Sequence, residues 1–167
     1  LHTPWLNTKT RGGEISEMAE RIGQPLLDWQ KLILNDMCTV DKNQMFIRKT
    51  NLLLIARQSG KSHLGRIMCL AHLFLFKSPR VLIASSNRAM ALVSFREMAY
   101  TIEAHDFLNC QIKAIRYANG TESIEMKDGR RLDVVAATRD GSRGRTADAL
   151  FLDEVREWSE EGYRAAM

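Results

Sequence analysis

The chain has 167 residues, of which 45% are hydrophobic and 26% charged, a composition that predicts one globular domain with a sizeable core. The formal net charge of +4 is compatible with a nucleic-acid partner but does not establish one. The sequence has no run of about 18 apolar residues, so no membrane span is predicted. Its three cysteines are widely spaced and form no Cys-x-x-Cys or His/Cys cluster, which argues against a zinc site.

The first 24 residues are predicted to be a polar lead-in with a short helix near Glu14–Arg21, and residues 25–167 to be the main domain. Pro25 is typical of a first helical turn, and apolar residues follow at helical spacing as far as Met37. Gln30 lies within this helix and offers both a donor and an acceptor, the pair needed to bind the edge of adenine. The alternative is an exposed helical glutamine without a ligand.

Two extended segments are predicted next, Gln44–Arg48 and Asn51–Ala56, and the second is expected to be a buried strand. It leads into the hexapeptide Arg57-Gln58-Ser59-Gly60-Lys61-Ser62, after which a helical pattern begins. A strand, a tight turn and a helix N-terminus form the layout of a phosphate-binding loop. The usual loop pattern has a glycine five positions before the Gly-Lys pair, where this chain has Ile55.

Each residue type in this loop suits a phosphate ligand. The glycine lets the backbone approach the ligand, and backbone N–H groups of Gln58, Ser59 and their neighbours hold phosphate oxygens. We expect Lys61 to reach the β- and γ-phosphates and the Ser62 hydroxyl to bind Mg²⁺. A guanidinium at Arg57 suits a γ-phosphate, and the alternative for Arg57 is a surface charge.

The middle of the chain predicts alternating helices and strands, which favours an α/β fold with a mainly parallel sheet flanked by helices. An Asp128-Gly129 turn between the last two strands adds a hairpin at a mixed edge of the sheet. The predicted helices are Lys61–Phe76 and Asn87–Ala104, the latter capped by Asn87 or Ser86, and the predicted strands are Arg80–Ser85, Ile112–Tyr117, Thr121–Met126 and Arg131–Ala137.

A second motif, Asp153-Glu154, follows the apolar strand that begins at Ala149. Ligands of open α/β sheets bind at the carboxyl ends of the strands, so we expect Asp153 to bind Mg²⁺ and Glu154 to activate the attacking water. The alternative is an acidic loop before a helix that starts near Ser159.

The polar loop before this strand is rich in arginine. Arg139, Arg143 or Arg145 is a candidate arginine finger acting on a neighbouring subunit, or a contact to DNA phosphates. The alternative is a solvated basic loop.

Taken together and in order, these motifs resemble the ATPase domain of the large terminase subunit of tailed bacteriophages. The resemblance rests on Trp29-Gln30, the hexapeptide from Arg57 to Ser62, Ser142-Arg143-Gly144 and Leu152-Asp153-Glu154, and it extends from about Pro25 to the end of the chain. The Arg-Gln-x-Gly-Lys-Ser/Thr form of the phosphate loop is a hallmark of that family and accounts for the missing first glycine.

The resemblance implies a P-loop ATPase of the additional-strand, conserved-glutamate type that uses ATP and Mg²⁺ and pumps double-stranded DNA into a procapsid. It implies that Lys61 and Ser62 hold phosphate and Mg²⁺ (the Walker A motif), that Asp153 supports Mg²⁺ and that Glu154 is the base (Walker B). It also implies that Arg57 contacts the γ-phosphate, that Arg143 is the finger and that Gln30 lies beside adenine.

The same resemblance implies a homo-oligomeric ring at the portal of the procapsid, in the cytoplasm of an infected bacterium, with the portal protein and the small terminase subunit as partners and no membrane. Terminases continue with a lid subdomain and a nuclease domain, neither of which is recognised here, so we expect a fragment of a longer protein without nuclease activity of its own. Two alternatives stay open: a helicase-like P-loop ATPase, and a nucleotide-binding module without turnover.

Overall fold

The computed structural model describes residues 4, 6, 8–85, 88–118, 120–136 and 146–155. The chain divides into two compact units, Leu1–Ile67 and Met68–Met167, and the division falls within one helix. It does not coincide with the boundary at residue 24 that the sequence suggests, and the extent of the ATPase domain stays a prediction.

The first unit is helical. Helix α1 spans Gly12–Arg21, α2 spans Asp28–Met37, and α3, Lys61–Phe74, begins here. Helix α1 packs against α2 and buries Ile15, Met18 and Ala19. A Cβ at Gly12 would lie 2.9 Å from the backbone nitrogen of Asn35, so only glycine allows this close approach of the two helices. The predicted lead-in therefore contains a packed helix.

Helix α2 begins three residues later than Pro25, which corrects the prediction. Leu27 is the N-cap, with an extended backbone at φ −69° and ψ 155°, and its N–H donates to the side chain of Gln30 at 2.8 Å. Because this bond satisfies a backbone donor outside the helix, it stabilises the start at Asp28.

The two extended segments of this unit are not strands, which corrects both predictions. Near Gln44–Arg48 the structure has one isolated bridge, between Val40 and Phe46. Asn51–Ala56 forms no strand, and Leu52 and Leu54 are 76% and 84% exposed. An apolar run favours burial, but a strand also needs a neighbouring strand to bond its backbone, and no named strand pairs with this segment.

The second unit contains a five-stranded sheet in the order β2-β3-β4-β1-β5. Strand β1 runs parallel to β4 and β5, whereas β3 runs antiparallel to β2 and β4. The sheet is therefore mixed, with parallel strands on one side and the predicted hairpin adding antiparallel pairings on the other. The strands are β1 Arg80–Ser85, β2 Ile112–Arg116, β3 Ser123–Met126, β4 Arg131–Ala136 and β5 Ala149–Asp153.

The turn from β3 to β4 confirms the predicted hairpin. Gly129 has a φ of 91°, a conformation that favours glycine, and its N–H donates to the carbonyl of Met126 at 3.1 Å. The register places Ser123 opposite Asp133 and Glu125 opposite Arg131. A local turn signal was therefore enough to predict this part of the sheet.

Helices accompany the sheet. Helix α4, Arg88–Glu103, contacts β1 and β4 and buries Phe95, Met98 and Ile102, while a four-residue helix α5, Asp106–Asn109, was not predicted. The predicted caps of α4, Ser86 and Asn87, lie outside the described residues. Among the described helices, none combines the length and hydropathy that crossing a membrane requires.

His72, in the last turn of α3, lies in apolar surroundings within the second unit. Its ring contacts Phe76 and Phe151 edge-on, at centroid distances of 5.1 and 5.6 Å, and Nδ1 lies 2.9 Å from the Ser78 hydroxyl oxygen. Burial lowers the pKa of His72 to about 4. The imidazole is therefore neutral in the folded chain at physiological pH.

We expect His72 to make the folded chain sensitive to acid. The folded pKa lies below the ordinary value, so the unfolded chain binds the proton first and stability falls as the pH drops from about 6.5 towards 4. The loss is at most about 3 kcal/mol. Urea unfolding at pH 7.5 and pH 4.5 should show a smaller acid-induced loss in His72→Gln, and an equal loss in both chains would contradict this assignment.

Candidate active site

The hexapeptide Arg57–Ser62 forms a tight turn in front of a helix. Gln58 and Gly60 adopt left-handed backbone conformations, with φ angles of 57° and 87°. Only glycine takes such angles without strain, so the turn depends on Gly60 and tolerates Gln58 at a cost. These two left-handed positions, separated by Ser59, bend the backbone between the exposed segment and α3.

Gly60 caps α3. Its carbonyl accepts the first helical hydrogen bond, from the Leu64 N–H at 3.1 Å, which makes Lys61 the first residue of a helix of 14 residues. The first turn of an α-helix presents backbone N–H groups without intrahelical partners, and the helix dipole adds partial positive charge there. Together with the Lys61 ammonium, this end of α3 has the chemistry of an anion site.

The Lys61 side chain folds back over the turn. Its Nζ donates to the carbonyl of Ile55 at 3.1 Å and to that of Ala56 at 3.0 Å. Ser59 Oγ also donates to the Ala56 carbonyl, at 2.8 Å. The side chains of Ser59 and Lys61 therefore stabilise the turn by hydrogen bonds to backbone carbonyls at its start.

The other predicted loop residues differ in exposure. Arg57, Gln58 and Ser62 are exposed, which leaves their side chains within reach of a ligand in solution. Gln30 is fully buried, and its Nε2 donates to the Gly60 carbonyl at 2.9 Å. The structure thus places Gln30 in contact with the loop, through a hydrogen bond to the loop backbone.

Gly60→Ala is expected to destabilise the first unit. The φ of 87° is left-handed, and the new Cβ would lie 3.0 Å from Nε2 of Gln30. We expect a loss of about 1–2 kcal/mol in the free energy of unfolding. Urea unfolding of the variant measures it.

Gly65→Ala is the matched control, because a Cβ at Gly65 in α3 meets nothing within 4 Å. Helix propensity alone predicts a gain of up to about 1 kcal/mol for this variant. Equal stability of the two variants would contradict the importance of the turn at Gly60.

The second motif lies at the carboxyl end of β5, which runs parallel to β1 with Ser85 opposite Asp153. At the other end of this pair, Asp148 exchanges hydrogen bonds with the Arg80 backbone. The predicted position of Asp153 at the carboxyl edge of the sheet is therefore found. Ser85 is buried beside it in register.

Glu154 follows β5 in a strained conformation, with a φ of 52°. Its backbone N–H donates to Oδ1 of Asp153 at 2.9 Å, and its side chain is exposed. Non-glycine residues with positive φ persist where the surroundings enforce them, and functional sites are enriched in them. This hydrogen bond orients the Asp153 carboxylate without using the Glu154 carboxyl.

An ion pair near the start of α4, between the partly exposed Arg88 and the buried Glu122, was not predicted. Nη2 of Arg88 lies 2.5 Å from Oε2 of Glu122, and the Gly120 N–H donates to the same oxygen at 3.1 Å. Burial would raise the pKa of Glu122, but hydrogen bonds from backbone N–H groups and Arg88 outweigh it, so the pKa is lowered. The two residues are 34 positions apart, and no local signal relates them.

Arg139, Arg143 and Arg145 lie outside the described residues, as does Ser159. In the described part of the chain, no three His, Cys, Asp or Glu side chains are grouped so as to hold a metal ion. Carboxylate and hydroxyl oxygens suit Mg²⁺, so Asp153 and Ser62 have the chemistry of magnesium ligands.

Comparison with known proteins identifies a family and a solved structure of similar fold. The model of the family described as "Terminase large subunit, T4likevirus-type, N-terminal" matches residues 52–167. A crystal structure of the HK97 bacteriophage large terminase is similar in fold, with a TM-score of 0.66 and 20% identity over 88% of this chain. The chain covers 32% of that terminase, and no curated protein matches the sequence.

Proposed function

Because this chain belongs to the family of terminase large subunits through the N-terminal part of that family, we propose that it is the ATP-hydrolysing motor domain of a phage terminase. In this proposal it drives double-stranded viral DNA into a procapsid. The fold class proposed with it is the P-loop NTPase of the additional-strand, conserved-glutamate type.

The first half of the proposed chemistry is phosphate binding. Lys61 leaves the carbonyls of Ile55 and Ala56 and donates to the β- and γ-phosphates of ATP, and backbone N–H groups of Gln58, Ser59 and Gly60 hold further oxygens. Arg57, which is exposed, binds the γ-phosphate with two N–H groups.

The second half is the reaction with water. Ser62 and Asp153 would hold Mg²⁺, which would supply positive charge against the phosphates. Glu154 accepts a proton from the attacking water, and Arg143 from a neighbouring subunit stabilises the transition state, with Arg139 and Arg145 as alternatives. The Glu154 N–H bond to Asp153 supports this division of roles, because it holds the aspartate while the glutamate side chain extends into solvent.

The proposed partners follow from the family. They are double-stranded DNA, further copies of the chain in a ring, the portal protein and the small terminase subunit, at the portal of the procapsid in the cytoplasm of an infected bacterium. The net charge of +4 is compatible with DNA as a partner. An endonuclease domain in the same protein is part of this proposal and lies outside this chain.

One observation carries the proposal: within the family match, a glycine with a φ of 87° caps a 14-residue helix whose first residue is Lys61. This arrangement suits a phosphate group rather than a neutral ligand, because it combines the helix dipole with a cation.

The test is steady-state ATP hydrolysis measured against protein concentration, with Mg²⁺ and with EDTA, in the presence and absence of double-stranded DNA. Turnover that needs Mg²⁺ and rises more than linearly with protein concentration supports an ATPase with an arginine supplied by a neighbouring copy. ATP binding without turnover at any concentration would favour a binding module, and no ATP binding would overturn the proposal.

A further inference from the structure

Gln30 makes two hydrogen bonds that join two helix starts. Its Oε1 accepts from the N–H of Leu27, the N-cap of α2, at 2.8 Å, and its Nε2 donates to the carbonyl of Gly60, the cap of α3, at 2.9 Å. The side chain has no exposed surface. Both ends of the amide are therefore used within the first unit.

The bond to Gly60 has a consequence for the next backbone group. A peptide unit is planar and trans, so its N–H points opposite to its C=O. Since the carbonyl of Gly60 is held by Gln30 and by the Leu64 N–H, the N–H of Lys61 is held in the opposite direction. The amide of Gln30 thereby sets the orientation of a donor at the start of α3.

The loop needs such a constraint. Glycine populates many backbone conformations with similar ease, so the conformation of Gly60 at φ 87° depends on contacts with its surroundings. The contact is also close, because a Cβ at Gly60 would lie 3.0 Å from Nε2 of Gln30. A side chain at position 60 would therefore crowd the Gln30 amide, which donates to the Gly60 carbonyl.

We propose that Gln30 is a positioning residue of the phosphate loop, which sets the Gly60–Lys61 peptide for a polyphosphate and acts in the same way whatever base the nucleotide carries. This inference rests on the proposed binding of ATP. Binding the edge of adenine, by contrast, would require the amide to leave Gly60 or Leu27 and to become exposed. Gln30 in this position thus orients the backbone that faces the triphosphate and does not contact the base.

The test compares the affinities of the parent chain and of Gln30→Met for three probes, Mg-ATP, Mg-GTP and inorganic tripolyphosphate. Isothermal titration calorimetry is done at a temperature where both chains are folded. Loss of one hydrogen bond that orients the loop should weaken all three by a common factor of about five to ten. Gln24→Met, a half-buried glutamine in the same unit, is the matched control and should leave all three unchanged.

The outcomes separate this inference from the proposed function. Weaker binding of ATP alone would make Gln30 a base-reading residue and overturn the inference, while ATP binding by the parent chain would still stand. Unchanged affinities for all three probes would leave Gln30 a packing residue and also overturn it. A parent chain that binds none of the probes would overturn both.

Gln30→Glu is a second variant that keeps the size of the side chain and the acceptor for Leu27. At pH 8 an ionised carboxylate has no donor for the Gly60 carbonyl and should weaken tripolyphosphate binding. A tripolyphosphate affinity of Gln30→Glu equal to that of the parent chain would overturn the inference.

Discussion

Lys61→Ala is expected to abolish ATP hydrolysis and to weaken ATP binding. The substitution removes the cation at the first position of α3, where the ammonium would donate to the phosphates. Loss of a charged donor should weaken ATP binding by about 10- to 100-fold. Turnover should fall by at least about 100-fold, because the lysine would also stabilise charge in the transition state. Calorimetry and phosphate release measure the two effects.

Two further variants make this result specific. Lys42→Ala removes an exposed lysine from the same unit and should change neither quantity. Lys61→Arg keeps the charge but not the compact shape of an ammonium, so it should restore little of the activity. Unchanged turnover in Lys61→Ala would sink the motor-domain proposal, because no other lysine is predicted to bind phosphate.

Glu154→Gln is expected to block hydrolysis while ATP still binds. A glutamine cannot accept the proton of the attacking water, and loss of a general base lowers turnover by about 10²- to 10⁴-fold. The bond to Asp153 uses the backbone N–H of residue 154 and survives the change, so the proposed metal ligand keeps its orientation. Phosphate release with ATP in excess, beside ATP affinity from calorimetry, separates the two effects.

Glu17→Gln, an exposed glutamate on α1, is the control for this second result and should behave like the parent chain. Unfolding should be similar in Glu154→Gln and the parent, because both residues carry a side chain at the same φ of 52°. Wild-type turnover in Glu154→Gln would remove this glutamate from the mechanism, whatever the outcome for Lys61.

Much of the second unit was predictable from local patterns. Short apolar runs bounded by turn residues predicted β1 and β5, and the Asp128-Gly129 turn predicted the hairpin of β3 and β4. The end of β5 then gave the location of Asp153 in register with Ser85. These features depend on neighbours in sequence, which is why periodicity and turn chemistry were sufficient.

Features that depend on distant parts of the chain were not predictable. The apolar run at Leu52–Leu54 predicted a strand, but strand formation depends on a pairing partner that composition does not reveal. Likewise, the Gln30 bond to Gly60 spans 30 positions and the Arg88 bond to Glu122 spans 34. The roles proposed for Gln30, Arg57 and Arg143 stay predictions, and Arg143 lies outside the described residues.

The bonds from Lys61 to the Ile55 and Ala56 carbonyls mean that the ammonium is already solvated by protein when no nucleotide is bound. When an anion binds, Lys61 replaces its hydrogen bonds to neutral carbonyl oxygens with hydrogen bonds to the oxygens of the anion. The anion therefore gains only the difference in free energy between the two kinds of hydrogen bond. That difference grows with the charge of the anion. A singly charged anion would therefore bind weakly at Lys61, whereas a triphosphate would displace the two carbonyl oxygens from the ammonium.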